Sequence, residues 1–323
     1  MALLASPRRL RQLGLLGMNG RNGDYIARYN RRRQYPLVDD KRRTKELAQR
    51  AQMSVPPLYG VVETEHQARR LGALLAQHQD FVIKPAHGSG GDGILVIVGR
   101  RNEAFVRGDG SLLRLEDLRF HVSNILSGMY SLGGLPDQAM IEYRVNFDPV
   151  FDPVSYRGVP DVRILVFLGI PAMAMIRLPT RASDGRANLH QGAIGVGIDI
   201  ASGMTRTGVL QNLLAQEHPD TGHSIVGLTI PQWPKLLELA ARCHDLAGLG
   251  YLGVDLVLDR DRGPLILELN ARPGLNIQLA NRAGLRHRLA RIEQLESIPA
   301  AAGERVALAR QLFAGPTPAE ATD

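Results

Sequence analysis

Short β-branched and aliphatic runs bounded by turn residues recur along this chain, and between them lie stretches whose apolar positions return every three to four residues. The first pattern marks strands and the second amphipathic helices. "FVIK" (Phe81 to Lys84) and "ILVIV" (Ile94 to Val98) flank four glycines between Gly88 and Gly93, and read as two strands of a hairpin. Gln138 to Val145 reads as a further strand, "VRILVFLG" and "IPAMAMIRLP" as an antiparallel pair, and "GAIGVGIDI" as a strand after a loop. "LGVDLVLDRDRGPLILELNARPG" reads as a second hairpin. Helical periodicity appears from Asp39 to Met53, with Asp39 or Asp40 as N-cap and Leu47 on the buried face. It returns in "EHQARRLGALLAQH", in "LRLEDLRFHVSNILSGMYSL" and most strongly in "WPKLLELAARCHDLAGL". Residues 1 to 36 are arginine-dense and poorly periodic, and read as a short helix followed by an extended arm. One last helix and the tail "FAGPTPAEATD", expected to be disordered, close the chain. Strands and helices mix without βαβ alternation, so the expected class is α+β with mainly antiparallel sheets.

Composition narrows the function classes. With 323 residues, 44% hydrophobic and 22% charged, the chain has the makings of a large core. No apolar run approaches the ~20 residues that span a bilayer. Arginines interrupt the apolar stretch of "MALLASPRRLRQLGLLG", which argues against a secretory leader. A single cysteine, Cys243, excludes an internal disulfide and fits a cytoplasmic location. The net charge of +7 admits acidic ligands. Aromatic residues are only 5% and do not interleave with basic runs, so no nucleic-acid partner is expected. The basic residues are nearly all arginine; only Lys41, Lys45, Lys84 and Lys235 are lysines, which draws attention to each.

Three stretches carry candidate chemistry. In the first, Lys84 precedes the glycines and a strand follows them, the reverse of a Walker loop, whose lysine opens a helix after its glycines. A flexible lid over an anion and a plain glycine-rich turn both fit that order. In the second, the turn "DRDRGP" centres between Asp261 and Arg262, which places Asp255 opposite Glu268 and Asn270 on the same face. Like charges opposite each other on a sheet repel, and burying both without compensation costs several kcal/mol. A divalent cation with oxygen ligands removes the conflict; the alternative is a slipped register with the acids facing solvent. In the third, "RANLHQGA" sets Arg186, Asn188 and His190 in one loop, a set able to collect anionic oxygens, although a lone histidine is more often structural.

Together these stretches resemble the ATP-grasp superfamily, and within it the RimK-like α-L-glutamate ligases, over about Asp39 to Asn276. "GVDLVLDRDRGPLILELNARPGLN" and "DGRANLHQGA" are the most specific pieces. The resemblance implies an ATP-grasp fold of two lobes gripping a nucleotide, with an arginine-rich arm at 1–36, a first lobe at 37–140, a second at 141–295, and a helix and tail at 296–323. It implies that Lys41, Lys84 and the loop Gly88, Ser89, Gly90, Gly91 and Gly93 bind the phosphates of ATP. Glu142 and Tyr143 would meet the adenine, and Asp161 the ribose, with Asp148 and Asp152 as competitors for that role. Arg163 would reach the γ-phosphate or the reacting acyl group, and Arg186 and Asn188 the phosphates, with His190 nearby. Asp255, Glu268 and Asn270 would hold Mg²⁺ or Mn²⁺.

The implied reaction joins a carboxylate to an amine through an acyl phosphate. Its substrates would be an amino acid and an acidic peptide or small molecule. An ATP-dependent phosphotransferase and a non-catalytic nucleotide-binding module are the alternatives. Only about forty residues precede Lys41, fewer than in the RimK-like ligases. Against that resemblance, the expectation is an acceptor site partly missing, rebuilt by the arginine-rich arm or supplied by a protein partner. Arg272 stands where many relatives have a small residue, and either favours an acidic substrate or pairs with Glu268 or a surface acid.

Overall fold

The computed structural model describes residues 6–88, 90–131 and 133–314. Ser89 and the proline-rich tail from position 315, expected to be disordered, lie outside the described residues. Two compact units result: Asp40–Arg50 with Ser54–Asn146, and the segments before, between and after them. Their divisions fall at 39/40 and 146/147, against 36/37 and 140/141 expected.

The unit at 40–146 carries β1 (Leu58–Val62), β2 (Phe81–Pro85), β3 (Leu95–Arg101), β4 (Ala104–Arg107), β5 (Leu112–Leu113) and β6 (Ala139–Glu142). They form one antiparallel sheet in the order β1-β6-β2-β3-β4-β5. The alternation in "LVIV" does what period two requires: Leu95 and Ile97 are buried, Val96 and Val98 exposed. The buried face meets the helix Leu115–Leu126, whose Leu118, Val122 and Ile125 join Phe81 and Ile83 in one core. The expected helix "EHQARRLGALLAQH" is two short ones, Glu65–Ala68 and Leu71–Leu75, the first opened by a Thr64–Gln67 capping box. Helix Lys41–Arg50 starts as expected at Asp40, whose carboxylate accepts from the backbone N–H of Arg42 and Arg43 at 2.9 and 3.1 Å. Its buried face is Thr44, Lys45 and Ala48, while Leu47 is only half-buried. An ion-paired lysine, not a leucine, turns inward.

The second unit holds β7 (Asp161–Phe167), β8 (Ile170–Leu178), β9 (Ile194–Ile198), β10 (Thr205–Leu210), β11 (Leu213–Ala215), β12 (Tyr251–Asp259) and β13 (Gly263–Asn270). Their order is β11-β10-β9-β8-β7-β12-β13, again antiparallel throughout. Helix Trp233–Ala247 packs on β7, β8, β12 and β13, which explains why β12 is buried along its whole length. Strands β10 and β11 were not foreseen, because "TRTGVL" and "LLA" lack an apolar alternation. Three helices follow β13 where one was expected: Ile277–Ala280, Leu285–Glu293 and Ala302–Leu312.

The arginine-rich arm is not extended. It folds as helical turns at Pro7–Gln12, 18–29, Arg32–Gln34 and Pro36–Asp39. Tyr25, Ile26 and Tyr29 give the second piece a narrow apolar face, hidden in the sequence by the arginines around it. Tyr25 and Tyr29 meet Phe167 edge-on at 5.5 and 4.9 Å between ring centres. Leu16 exchanges two hydrogen bonds with the Gln278 amide, at 2.8 and 3.0 Å, which ties the arm to the C-terminal helices. No helix among the described residues is long and apolar enough to cross a membrane.

Two positions on one helix test the core of the first unit. Leu118 is fully buried and Phe120 is 70% exposed. Leu118→Ala should cost about 2–5 kcal/mol of unfolding free energy in urea titration. Phe120→Ala should stay within about 0.5 kcal/mol of the parent.

Candidate functional site

The sheet of the second unit carries a patch of charge on its β8, β7, β12 and β13 strands. Arg163 lies directly across from Asp255, Asp255 across from Glu268, and Asp161 across from Arg177. The side chains follow that register. Arg163 grips Asp255 with two hydrogen bonds of 2.7 and 2.6 Å. Arg177 grips Asp161 with two of 2.5 Å and reaches Asp255 at 2.8 Å. Asp161 and Asp255 are 7% and 3% exposed, so these pairs work at low dielectric, where forked geometry counts most. Burial pushes the Asp161 carboxyl up to about 6, with Arg177 pulling it back and the charge of Asp255 adding to the rise. Burial alone would raise Asp255 as well; there the guanidinium groups of Arg163 and Arg177 win and hold it well below the usual carboxylate range.

The Asp255–Glu268 pairing matches the expectation, although the hairpin reaches it by another route. Asp259 pairs with Gly263, one residue tighter than the turn predicts, and a bulge between Asp255 and Leu256 restores the register. The electrostatic premise changes more. Asp255 is not an uncompensated carboxylate waiting for a cation, because two arginines neutralise it. The oxygen set still suits a hard divalent ion. Asp255 Oδ1 accepts one hydrogen bond and keeps a lone pair, whereas Oδ2 accepts from Arg163, Arg177 and, at 3.4 Å, the Asn270 amide. Glu268 and Asn270 are half-buried on the same face. No cluster of three His, Cys, Asp or Glu side chains arranged for a metal occurs among the described residues, so a three-ligand site here would need the amide oxygen of Asn270.

In the unit at 40–146 a second buried charge cluster forms. Glu142, at the end of β6, receives Lys84 from β2 at 2.5 Å and Lys45 from the helix Lys41–Arg50. All three are buried. Lys45 also donates to Pro56 O at 2.6 Å. Burial by itself would raise Glu142, but the two lysines hold it below its ordinary value. Burial lowers Lys45 to about 8, with Glu142 opposing and Lys84 assisting that fall. The neighbouring residue Tyr143 donates its backbone N–H to Pro57 O at 2.9 Å.

The glycine loop joins β2 to β3. Lys41 donates its backbone N–H to Ala86 O at 3.2 Å and its ammonium to Gly88 O, which ties the helix start to the loop. Gly88 and Gly93 are required by space. A Cβ at Gly88 would meet Pro85 at 2.3 Å, and one at Gly93, whose φ is +74°, would meet the Tyr130 ring at 2.6 Å. Gly90 and Gly91 also have positive φ.

The remaining candidates lie in the second unit. Asn188 caps a short turn by accepting from the His190 N–H at 3.0 Å, Arg186 contacts Gln191 at 3.5 Å, and His190 is exposed. Arg272 is exposed, lies over the Tyr35 ring at 4.9 Å and has no acidic partner among the described residues. Pairing with Glu268 or a surface acid is therefore not what this arginine does. Lys45 and Arg177 were missed in the sequence. The signal existed for both: Lys45 is one of four lysines, and Arg177 ends an unbroken apolar run as Lys84 does.

The sugar-transfer associated ATP-grasp family matches residues 20–294 of this chain. The chain belongs to that family. It is also 30% identical over 115 residues to a probable α-L-glutamate ligase of Citrobacter koseri, covering 36% of this chain and 27% of that one. A probable α-L-glutamate ligase of Aliivibrio salmonicida is 31% identical over 109 residues, 34% of each chain. The chain thus spans about a quarter to a third of the length of these curated relatives. Among solved structures, the D-cycloserine synthetase DcsG overlaps 81% of this chain and 72% of its own, with 20% identity and a TM-score of 0.44. The D-alanine–D-alanine ligase of Bacillus anthracis overlaps 86% and 69%, with 12% identity and a TM-score of 0.43. Family membership agrees with the resemblance seen in the sequence, and the two antiparallel sheets with helices agree with the expected α+β class.

Two outcomes are expected of the Lys45–Glu142–Lys84 cluster. Glu142→Gln leaves two buried lysines facing a neutral amide and should cost about 3–5 kcal/mol in urea unfolding. The second concerns pH. With its native pKa at about 8, below the ordinary lysine value of 10.5, Lys45 binds fewer protons folded than unfolded between those values. Stability from this group therefore rises as pH climbs through that window. Urea midpoints from pH 7.5 to 10 should show this rise in the parent and lose it in Lys45→Met.

Proposed function

We propose that this ATP-grasp protein is an ATP-dependent ligase that joins a carboxylate to an amine. The observation that carries the reading is the facing pair Asp255 and Glu268, with Asn270 beside it, at the end of a hairpin in a chain of this family. Lys41, Lys84 and the backbone of the glycine loop would bind the phosphates of ATP. Glu142, expected to meet the adenine, is held by Lys84 and Lys45 and would act through them, and Tyr143 would border the adenine. Asp161, expected to take the ribose, has both carboxylate oxygens on Arg177 and through that clamp would set the charged face on which Asp255 lies. Arg163, Arg186 and Asn188 would supply donors for phosphoryl oxygens, with His190 on the same loop as Arg186 and Asn188. Asp255, Glu268 and Asn270 would hold Mg²⁺ or Mn²⁺, which supplies positive charge for the phosphate oxygens when bound.

The chemistry is two displacements. A substrate carboxylate oxygen takes the γ-phosphoryl group of ATP, releasing ADP and leaving an acyl phosphate. An amine then attacks the acyl carbon, inorganic phosphate leaves with the bonding pair, and the amine gives up a proton. This chain's residues need only position and neutralise, because no enzyme atom becomes bonded to substrate. Arg272 supports an acidic amino acid, peptide or small molecule as one substrate. The short glutamate-ligase likeness supports the same class. The arm beside Arg272 supports an acceptor site completed within this chain, not by a protein partner.

The test is product analysis with Mg²⁺ and ATP. ADP and free phosphate should appear together, and only when a carboxylate and an amine are both present. ADP with a stable phosphorylated compound would make the protein a phosphotransferase, and no turnover with intact ATP binding would make it a binding module. Glu268→Gln should lower turnover by at least about 100-fold while ATP binding changes by less than about tenfold, since it weakens the cation more than the adenine contacts. Parent-like turnover in that variant would end the hairpin assignment.

A further inference from the structure

The first helical turn of the arm, Pro7–Gln12, buries nothing. It starts from a Ser6 cap, whose Oγ accepts from the Arg9 N–H at 3.2 Å, and none of its six residues is buried. A helix of that length is marginal in water by itself, and most helices are stabilised by packing one face on another surface. The side chains exposed here are of two kinds. Leu10 is 37% exposed, Leu13 40% and Met18 69%. Leu10 and Leu13 are three positions apart, so they share one edge of the turn, and Arg9 and Arg11 flank that edge. Arg8, Arg9 and Arg11 are exposed and have no acidic partner among the described residues. The rest of the arm adds charge of the same sign. Arg31, Arg32 and Arg33 are likewise exposed without an acidic partner, whereas the acid Asp24 is already engaged by Arg286 at 3.3 Å.

The turn stands on a fixed base. Gly14 and Leu16 behind it are buried, Gly14 O accepts from the Arg286 N–H at 2.9 Å, and Leu16 exchanges its two bonds with Gln278. Leu279, next to Gln278, is 45% exposed and adds a fourth aliphatic side chain to the elements joined there. Leucines, a methionine and arginines are therefore presented to solvent by an anchored segment, not by a loose end.

That mixture fits the boundary of an anionic bilayer, where leucine and methionine enter the acyl edge while arginines meet headgroup phosphates. A nucleic-acid backbone would engage the arginines but leave the aliphatic side chains in water, and no aromatic side chain lies between Ser6 and Gly20 to stack on a base. We infer that the start of the arm is a peripheral docking surface for an anionic lipid bilayer, with Leu10, Leu13 and Met18 entering the interface and Arg8, Arg9 and Arg11 on the headgroups. Three apolar side chains with a few arginines give weak, reversible attachment that spans nothing, and no helix among the described residues could cross. Such docking is independent of the ligase reading above.

Vesicle co-sedimentation of the full chain tests this, with vesicles of phosphatidylcholine containing about one-third phosphatidylglycerol against phosphatidylcholine alone. The anionic vesicles should bind at least about tenfold more tightly, and raising the salt concentration about tenfold should remove most of that gain. The triple variant Arg8→Gln, Arg9→Gln, Arg11→Gln should lose about 100-fold, since each basic side chain at such a surface contributes about fivefold. Met18→Ser should lose about tenfold at unchanged charge, through its apolar surface. These side chains are exposed, so urea midpoints should match the parent and ATP affinity should stay within about twofold. Met18→Trp puts a fluorophore at the contact, while Trp233 is buried. Its emission should shift to the blue and become shielded from an aqueous quencher with anionic vesicles only. Equal affinity for both vesicles, full affinity in the triple variant, or Met18→Trp emission unmoved by anionic vesicles would overturn the inference. Binding to duplex DNA that the triple variant loses, without binding to vesicles, would overturn it in favour of a nucleic-acid partner.

Discussion

Asp255 is a carboxylate buried in the middle of a β-sheet, and it persists only because Arg163 and Arg177 answer it from one side. Removing either arginine would leave a charge in low dielectric with too few donors, a cost large against the few kcal/mol that hold a domain together. The register of four strands follows from the same requirement. Slipping β7 by one residue against β12 would turn Arg163 away from Asp255 and put Val162 or Ile164 in its place. The charged patch therefore reports that the sheet is correctly paired and also supplies the oxygen face assigned to a cation.

The unit at 40–146 solves a similar problem with the signs exchanged. Glu142 is the single acid between Lys45 and Lys84, and it joins a helix to two strands. One of its lysines, lowered to about 8, sits within reach of neutral pH. A group poised in this way responds to an added anion, because a nearby phosphate would favour its charged form. The glycine loop next to this cluster is shaped by close approach at Gly88 and Gly93.

The arginine-rich arm shows how a segment with little periodicity still folds. Tyr25, Ile26 and Tyr29 supply enough apolar surface to dock on Phe167 and Tyr251, and Gln278 and Asn30 supply directional bonds. Docking leaves the guanidinium groups at the edge of the apolar contact, where they line a cavity beside Arg272. The charge that obscured the arm's helices in the sequence stands around that space.

The residues alone determined the strands with unbroken apolar runs, the periodic helix Trp233–Ala247, and the facing of Asp255 and Glu268, because period two and a short turn leave few ways to pair. They also determined the family likeness, since the motif "LELNARPGLN" is local. Tertiary structure decided which charges meet. Arg163 with Asp255 and Lys45 with Glu142 are separated by 92 and 97 positions, and no local pattern links them. It also decided the fate of the arm, whose helical turns depend on aromatic partners more than 130 positions away in the chain. Strand and helix periodicity is written into neighbouring residues, whereas the partner of a buried charge is set by which elements the core brings side by side.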